Sequence, residues 1–483
     1  MPDRKAVSLS LLYVFSLLVV FFVEPIILEF DLYSFQRIFL VSLSATIFLF
    51  AIFFEKPSQG KVAFSPLFYL FFLMAAFTPS RQAGFFAQVE ISSYLLFALS
   101  AGGLANYIRI RDLNEVGAYA FAAFSLIIGG FFICLNFGFY WLSGEAPYIM
   151  SGFNGEFPLR FENVRFWSHT ATWLVPLIPL VILGKRKWHP LFQWGPHLLG
   201  VLWVWMLFAT ASRGSLLSLV SITAIAGLLS KDLQEVKLFF KEMVKLLIGG
   251  LILWVCLNHL LPVFLSWESK GGLSFHTGGS GRLILWAEAL LMSFQNFPFG
   301  MGGMSWMTHQ SLTEGMEDGL RYGAPHNMYL LVAAEYGWIA LIIVLFSIFQ
   351  IFRKSIVMMN CGDKAQRQRI VVYSASITAS LVHSLFSGIY ISASSMIVGL
   401  FVWSIFLAEI YLVCGRPKGW GRLTVDFRCS NLVVRFSLGL LIFVFIFGVH
   451  RYYYLMIEDS FIYRSLGFDY WMPRFWLHGI FPR

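Results

Sequence analysis

Thirteen apolar runs, each close to the length that crosses a bilayer, constrain this chain more than any motif in it. They fall at about 6–28, 37–54, 62–78, 89–107, 115–137, 167–183, 197–211, 213–230, 244–265, 327–352, 370–389, 391–414 and 432–450. A hydrocarbon core of about 30 Å needs roughly 20 helical residues, and every backbone polar group inside it must be satisfied within the chain. The expectation is an all-α, polytopic integral membrane protein of 12–13 transmembrane helices, 12 if one of the short runs is re-entrant. Charged residues make up 13% of the chain, about half their share in soluble domains. The net charge of +9 is read as loop charge on a membrane protein and not as a nucleic-acid surface. The first run follows MPDRK, is too long for a signal-peptide core and shows no small-residue cleavage site, so it is expected to stay as a span.

Lysine and arginine set the orientation. With the N-terminus inside, alternate loops hold Arg4/Lys5, Lys56/Lys61, Arg109/Arg111, Lys185–Lys187, Lys231 to Lys245, Arg353 to Arg369 and Arg416 to Arg435. Those segments carry 23 of the 35 basic residues and leave 12 outside. The bias predicts a cytoplasmic N-terminus and, with 13 spans, an external C-terminus. Cys134 and Cys256 fall in spans and Cys361, Cys414 and Cys429 in cytoplasmic loops, so no disulfide is expected. We read residues 1–483 as one integral domain without internal repeats. Within it, 230–245 is a cytoplasmic amphipathic segment expected along the membrane surface. Residues 266–327 form a large periplasmic loop, and 451–483 an aromatic, arginine-bearing tail at the outer interface.

Positive charge outside runs against the rule, which makes those twelve residues informative. Arg165 precedes one inward-running span, Arg213 in TASRGSLL opens the next, and Arg282 enters a helical pattern within the long loop. A cation at a helix N-terminus opposes the macrodipole by about 0.3–1 kcal/mol. An anion between the three removes that conflict and takes the unpaired N–H groups as well. Diphosphate suits the bidentate guanidinium fork. For each arginine alone, the bland reading is a snorkelling interfacial side chain. Arg160 and Arg321 are secondary candidates that also read as solvated loop charges.

His326 follows Pro325 and opens HNMYLLVAAEYGW. Nearby cations would keep its imidazole neutral, as a general base requires. Glu335 lies nine residues on and reads as a structural or orienting carboxylate. His383, in LVHSLFSG, is a secondary candidate, while His169, His276 and His309 read as loop or acceptor-side residues. No histidine or cysteine spacing makes a metal site. The pair Glu29 and Asp31 could hold a divalent ion, but its short loop favours a solvated interfacial pair.

The order RFENVRFWSHTATWLVPLIPL, a span ending TASRGS, R-x₃-W opening a loop helix, FPFGMGG and then PHNMYLLVAAEYG resembles the O-antigen ligase and O-antigen polymerase superfamily, over roughly Arg160 to Gly388. The resemblance implies a helical GT-C-type glycosyltransferase of the bacterial inner membrane. Such an enzyme moves a glycan from undecaprenyl diphosphate to an acceptor hydroxyl on the periplasmic side, with no metal, nucleotide or other cofactor. By position, His326 matches the family's essential histidine, Arg213 and Arg282 match its diphosphate-binding arginines, and Arg165 is a looser match. The implied partners are the undecaprenyl-diphosphate-linked glycan, a lipid A-core or growing-glycan acceptor and the bilayer. A ligase, a polymerase and a protein O-oligosaccharyltransferase stay open. A transporter or flippase for lipid-linked sugar is the rival class. It would place charges near mid-membrane, often in two related halves, whereas the basic residues here gather at one face.

Overall fold

The computed structural model describes residues 4–22, 32–54, 84–142, 164–184, 193–230, 233–265, 281–314 and 323–411. Among them every regular element is a helix, beginning with Arg4–Phe21 (α1), Leu32–Phe54 (α2), Gly84–Ile110 (α3) and Asn114–Leu142 (α4). Val164–Leu174 (α5) passes through one 3-10 turn, Val175–Leu177, into Ile178–Gly184 (α6). Pro176 and Pro179 cause the change of pitch, because each lacks an N–H and crowds the carbonyl four residues back. Gly195–Ala209 (α7), Arg213–Leu229 (α8) and Gln234–Val255 (α9) follow. A π turn, Cys256–Leu260, joins α9 to Leu261–Phe264 (α10), where Pro262 removes another N–H. The remaining helices are Arg282–Gln295 (α11), the single turn Ser305–Thr308 (α12), Met328–Cys361 (α13), Lys364–His383 (α14) and Ala393–Ile410 (α15).

Seven described segments are long and apolar enough to cross a membrane: Arg4–Phe21, Ala87–Ile110, Asn114–Gly138, Arg165–Gly184, Gln234–Phe264, Met328–Cys361 and Ala393–Ile410. Shorter apolar helices lie at Phe35–Ala51, Gly195–Ala209 and Arg213–Leu229. The chain is an all-α polytopic membrane protein. The runs at 62–78 and 432–450 and the tail at 451–483 lie outside the described residues.

The bundle is built around α15. All 18 of its residues are buried, and it packs on α2, α3, α5 and α14. A helix that is apolar on every side belongs at the centre of such a bundle. Its polar groups are paired: Ser395 Oγ accepts from Trp173 Nε1 at 2.9 Å, and Glu409 accepts from Arg369 Nε at 2.6 Å. On the rim, Ile342, Leu345, Phe346 and Phe349 of α13 are exposed at helical spacing, forming a lipid-facing stripe.

One expected surface element departs from this picture. From Gln234 onward the amphipathic segment 230–245 is the first half of α9, continuous with a candidate span and packed on α7. Its two glutamates have protein partners. Glu242 accepts from Lys245 Nζ at 2.7 Å and pairs with His197 at 2.9 Å, and Glu235 accepts from Arg367 at 2.9 Å. The bonds to His197 and Arg367 tie the acidic side of the segment to α7 and α14, while Lys237, Lys241 and Lys245 stay exposed.

Candidate functional site

Three helix starts converge. Arg165 is the second residue of α5, Arg213 the first of α8 and Arg282 the first of α11. Each start has a local cause. Helix α7 ends with Ala211 left-handed (φ 47°), Ser212 N–H bonding Leu207 O and Ala211 N–H bonding Phe208 O. That hydrogen-bond pair stops the helix, and α8 begins at Arg213. Gly281, left-handed at φ 67°, precedes α11. The Arg282 guanidinium is lowered from its ordinary pKa by burial, then by Arg165 and Arg213, so the three cations share one field.

His326 faces this field. Its backbone is left-handed (φ 55°), a conformation in which histidine is enriched. Asn327 then caps α13, its Oδ1 accepting from Tyr329 N–H at 3.0 Å and Leu330 N–H at 3.1 Å. The helix start is tied down by Met328 N–H to Ser384 O at 2.9 Å and Tyr329 Oη to Leu381 O at 2.7 Å. The imidazole is thereby held outside the helix, with Nε2 at 3.4 Å from Arg165 Nη1. Arginine can only donate, so Nε2 presents its lone pair. Burial first, then Arg165 and Arg282, lower the His326 pKa to about 4. At neutral pH that shift leaves the ring uncharged beside Arg165 and Arg282.

Beneath the arginines lies a polar layer that motif reading did not assemble. His169, four residues after Arg165, is a buried residue of α5 and not a loop residue. Its Nε2 is 2.7 Å from Ser387 Oγ, and its ring meets His383 edge-on at 5.1 Å. His383 Nδ1 bonds Thr172 Oγ1 at 2.8 Å, and Thr172 lies 2.9 Å from Ser215 Oγ. The other edge of the His383 ring abuts Gly214, where an added Cβ would come within 2.6 Å of Nε2. The turn that carries Arg213 therefore rests on His383. The available signal was the spacing of Arg165 and His169, which puts both on one face of a helix; the chain separation from His383 hid the rest.

Glu335 lies elsewhere. It is fully buried in α13, and its Oε1 accepts from Trp306 N–H at 3.1 Å at the start of α12. His309 is buried against Glu288 of α11, Nε2 to Oε1 at 2.6 Å. Arg160, Arg321, His276, Glu29 and Asp31 lie outside the described residues.

Fold and site together define a class: a polytopic helical membrane protein with three arginines and an imidazole gathered at helix starts. Residues 198–345 match the O-antigen ligase family model, which supports a membrane protein of the O-antigen ligase and polymerase superfamily. The matched stretch contains Arg213, Arg282, His326 and Glu335, whereas Arg165, His169 and His383 lie outside it. No curated protein matches the chain. The family implies a glycosyltransferase-like enzyme of the ligase and polymerase kind.

Proposed function

We propose that this chain transfers a glycan from undecaprenyl diphosphate to an acceptor hydroxyl at the periplasmic face of the bacterial inner membrane, with inversion and without a metal. The observation that supports this reading is the 3.4 Å contact of Arg165 with His326 Nε2, in a field shared with Arg213 and Arg282. When a diphosphate enters, Arg165 turns its N–H from the imidazole to phosphate oxygen, and the Nε2 lone pair is left for the acceptor. The acceptor oxygen attacks the anomeric carbon, its proton passes to Nε2, and the bond from that carbon to the phosphate oxygen breaks. Undecaprenyl diphosphate departs with the electron pair. Its growing charge is held by Arg213, Arg282 and Arg165, preorganised donors doing what a metal does elsewhere.

His326→Ala is expected to abolish transfer from a lipid-linked donor while the protein still folds and inserts; near-native turnover would remove the histidine as base. Arg213→Lys is expected to fail as badly as Arg213→Ala, because one ammonium cannot replace a bidentate fork. A fully active lysine variant would argue for charge alone. The acceptor is read from the glycan profile of a knockout. Loss of long chains from lipid A-core marks a ligase, single-repeat caps mark a polymerase, and an unglycosylated protein marks a protein transferase.

A further inference from the structure

Residues 282–314 fall within the expected periplasmic loop 266–327, yet their helix is amphipathic in the wrong sense for water. On α11 the buried side carries Glu288 and Ser293 beside Leu285, Ala289 and Met292. The opposite side exposes Leu283 (70%), Leu290, Leu291 and Phe294 (55%), and Phe297 (61%) and Phe299 continue it. These positions carry no charge. Within 282–302, Glu288 and Ser293 are sealed inside, and beyond Arg282 only Gln295 and Asn296, at the tip of the turn, are polar and exposed. Glu288 accepts from His309, Leu312 N–H and Thr313, and Ser293 accepts from Trp338 Nε1 at 3.2 Å.

The chain path gives the depth. Helix α11 starts at the arginine cluster and ends beside Trp338, where the rings of Phe294 and Trp338 lie 6.0 Å apart. It then turns through Asn296–Gly300 and climbs back, Met301 N–H bonding Ala334 O and Gly302 N–H bonding Glu335 O. Arg353 and Lys354 mark one edge of the bilayer on α13. Roughly 20 residues back, at about 1.5 Å each, the other edge falls near Ala333. Phe294, beside Trp338, and the turn after it therefore reach past that edge, about one helical turn short of the α13 stripe that begins at Ile342.

Backbone accounting agrees. A turn at membrane depth must satisfy its own N–H groups. Those of Asn296, Phe297, Phe299, Met301 and Gly302 find acceptors within the protein, Pro298 has none to place, and the Asn296 amide bonds Gly300 O at 2.9 Å, so of the turn's N–H groups only that of the buried Gly300 is left without one.

We infer that residues 282–302 form a re-entrant hairpin whose outer face contacts the acyl chains of the leaflet on the arginine side. The partner is ordinary bilayer lipid, so the inference stands apart from the transfer reaction. It is tested on the full chain, with native cysteines replaced by alanine, in vesicles of phosphatidylethanolamine and phosphatidylglycerol that contain no isoprenoid lipid. Nitroxide labels at Phe294→Cys and Phe297→Cys are expected to collide readily with oxygen and rarely with a water-soluble nickel chelate, as a label at Phe349→Cys does. Ala287→Cys, a small change on the same face, gives the reading if a phenylalanine variant does not fold. A nickel-accessible pattern like that of Glu314→Cys would mean that the face meets water and would overturn the inference. Protection from both reagents would mean that protein covers it, whether another segment or a second copy, and would overturn it equally.

Discussion

His326 shows how much a single position depends on its surroundings. Pro325 and Asn327 in the sequence already indicated a helix start, and the arginines a cationic face. The left-handed backbone and the contact with Arg165 were not legible, because Arg165 is 161 residues away in the chain. The shifted pKa sets a direction for pH dependence. A base must be unprotonated, so activity is lost as pH falls through the pKa of the enzyme before substrate binds, which kcat/KM reports. With His326 at about 4, kcat/KM is expected to stay level from pH 8 to well below the ordinary histidine value of about 6.5. Arg165→Gln removes one of the two cations that oppose protonation, so the acidic limb should move upward. It should stop short of 6.5, because burial, the larger cause, remains. A native limb already at the ordinary value would mean that the base, if it is His326, works outside this field.

At the scale of an element, the kink in α13 explains why the glycines of FPFGMGG and the EYG of the following span belong together. Gly337 lies at φ 88°, ψ 169° inside the helix, a region essentially closed to other residues. The break releases the carbonyls of Ala334 and Glu335, and Met301 and Gly302 take them. An added Cβ at Gly300 would come within 2.5 Å of Gly337 N, and one at Gly337 would run into the Pro298 carbonyl. The spans were legible because apolar length is a local property. This clamp was not, since a glycine within an apolar run reads as a tolerated weak spot until its partner strand of backbone is known. Gly337→Ala is expected to cost at least the roughly 1–3 kcal/mol of the strained backbone, with the clash added, and to loosen the 296–302 turn. Faster proteolysis within residues 296–314, with the rest of the bundle resistant, is the check. Unchanged proteolysis would mean that the turn does not depend on the kink.

Across the whole molecule, α14 joins the site to a buried ion pair. His383 supports the arginine turn at one end, and Arg369, 14 residues earlier, lies about 21 Å away along the axis. There Arg369 meets Glu409 of α15 through two donors, at 2.6 and 3.4 Å, and the carboxylate is fully buried. Such a pair roughly breaks even against well-packed apolar residues, whereas removing one partner strands the other charge at a cost of about 3–5 kcal/mol. Glu409→Ala is therefore expected to lower the temperature at which the detergent-solubilised protein loses its monodisperse peak, and Arg369→Met with Glu409→Leu to restore most of that loss. Because the pair is remote from His326, the double variant should keep native turnover at a permissive temperature. A double variant that is stable but inactive would mean that α14 transmits more to the arginine cluster than support for His383. A single variant as stable as the native chain would mean that water or lipid reaches the pair despite its burial.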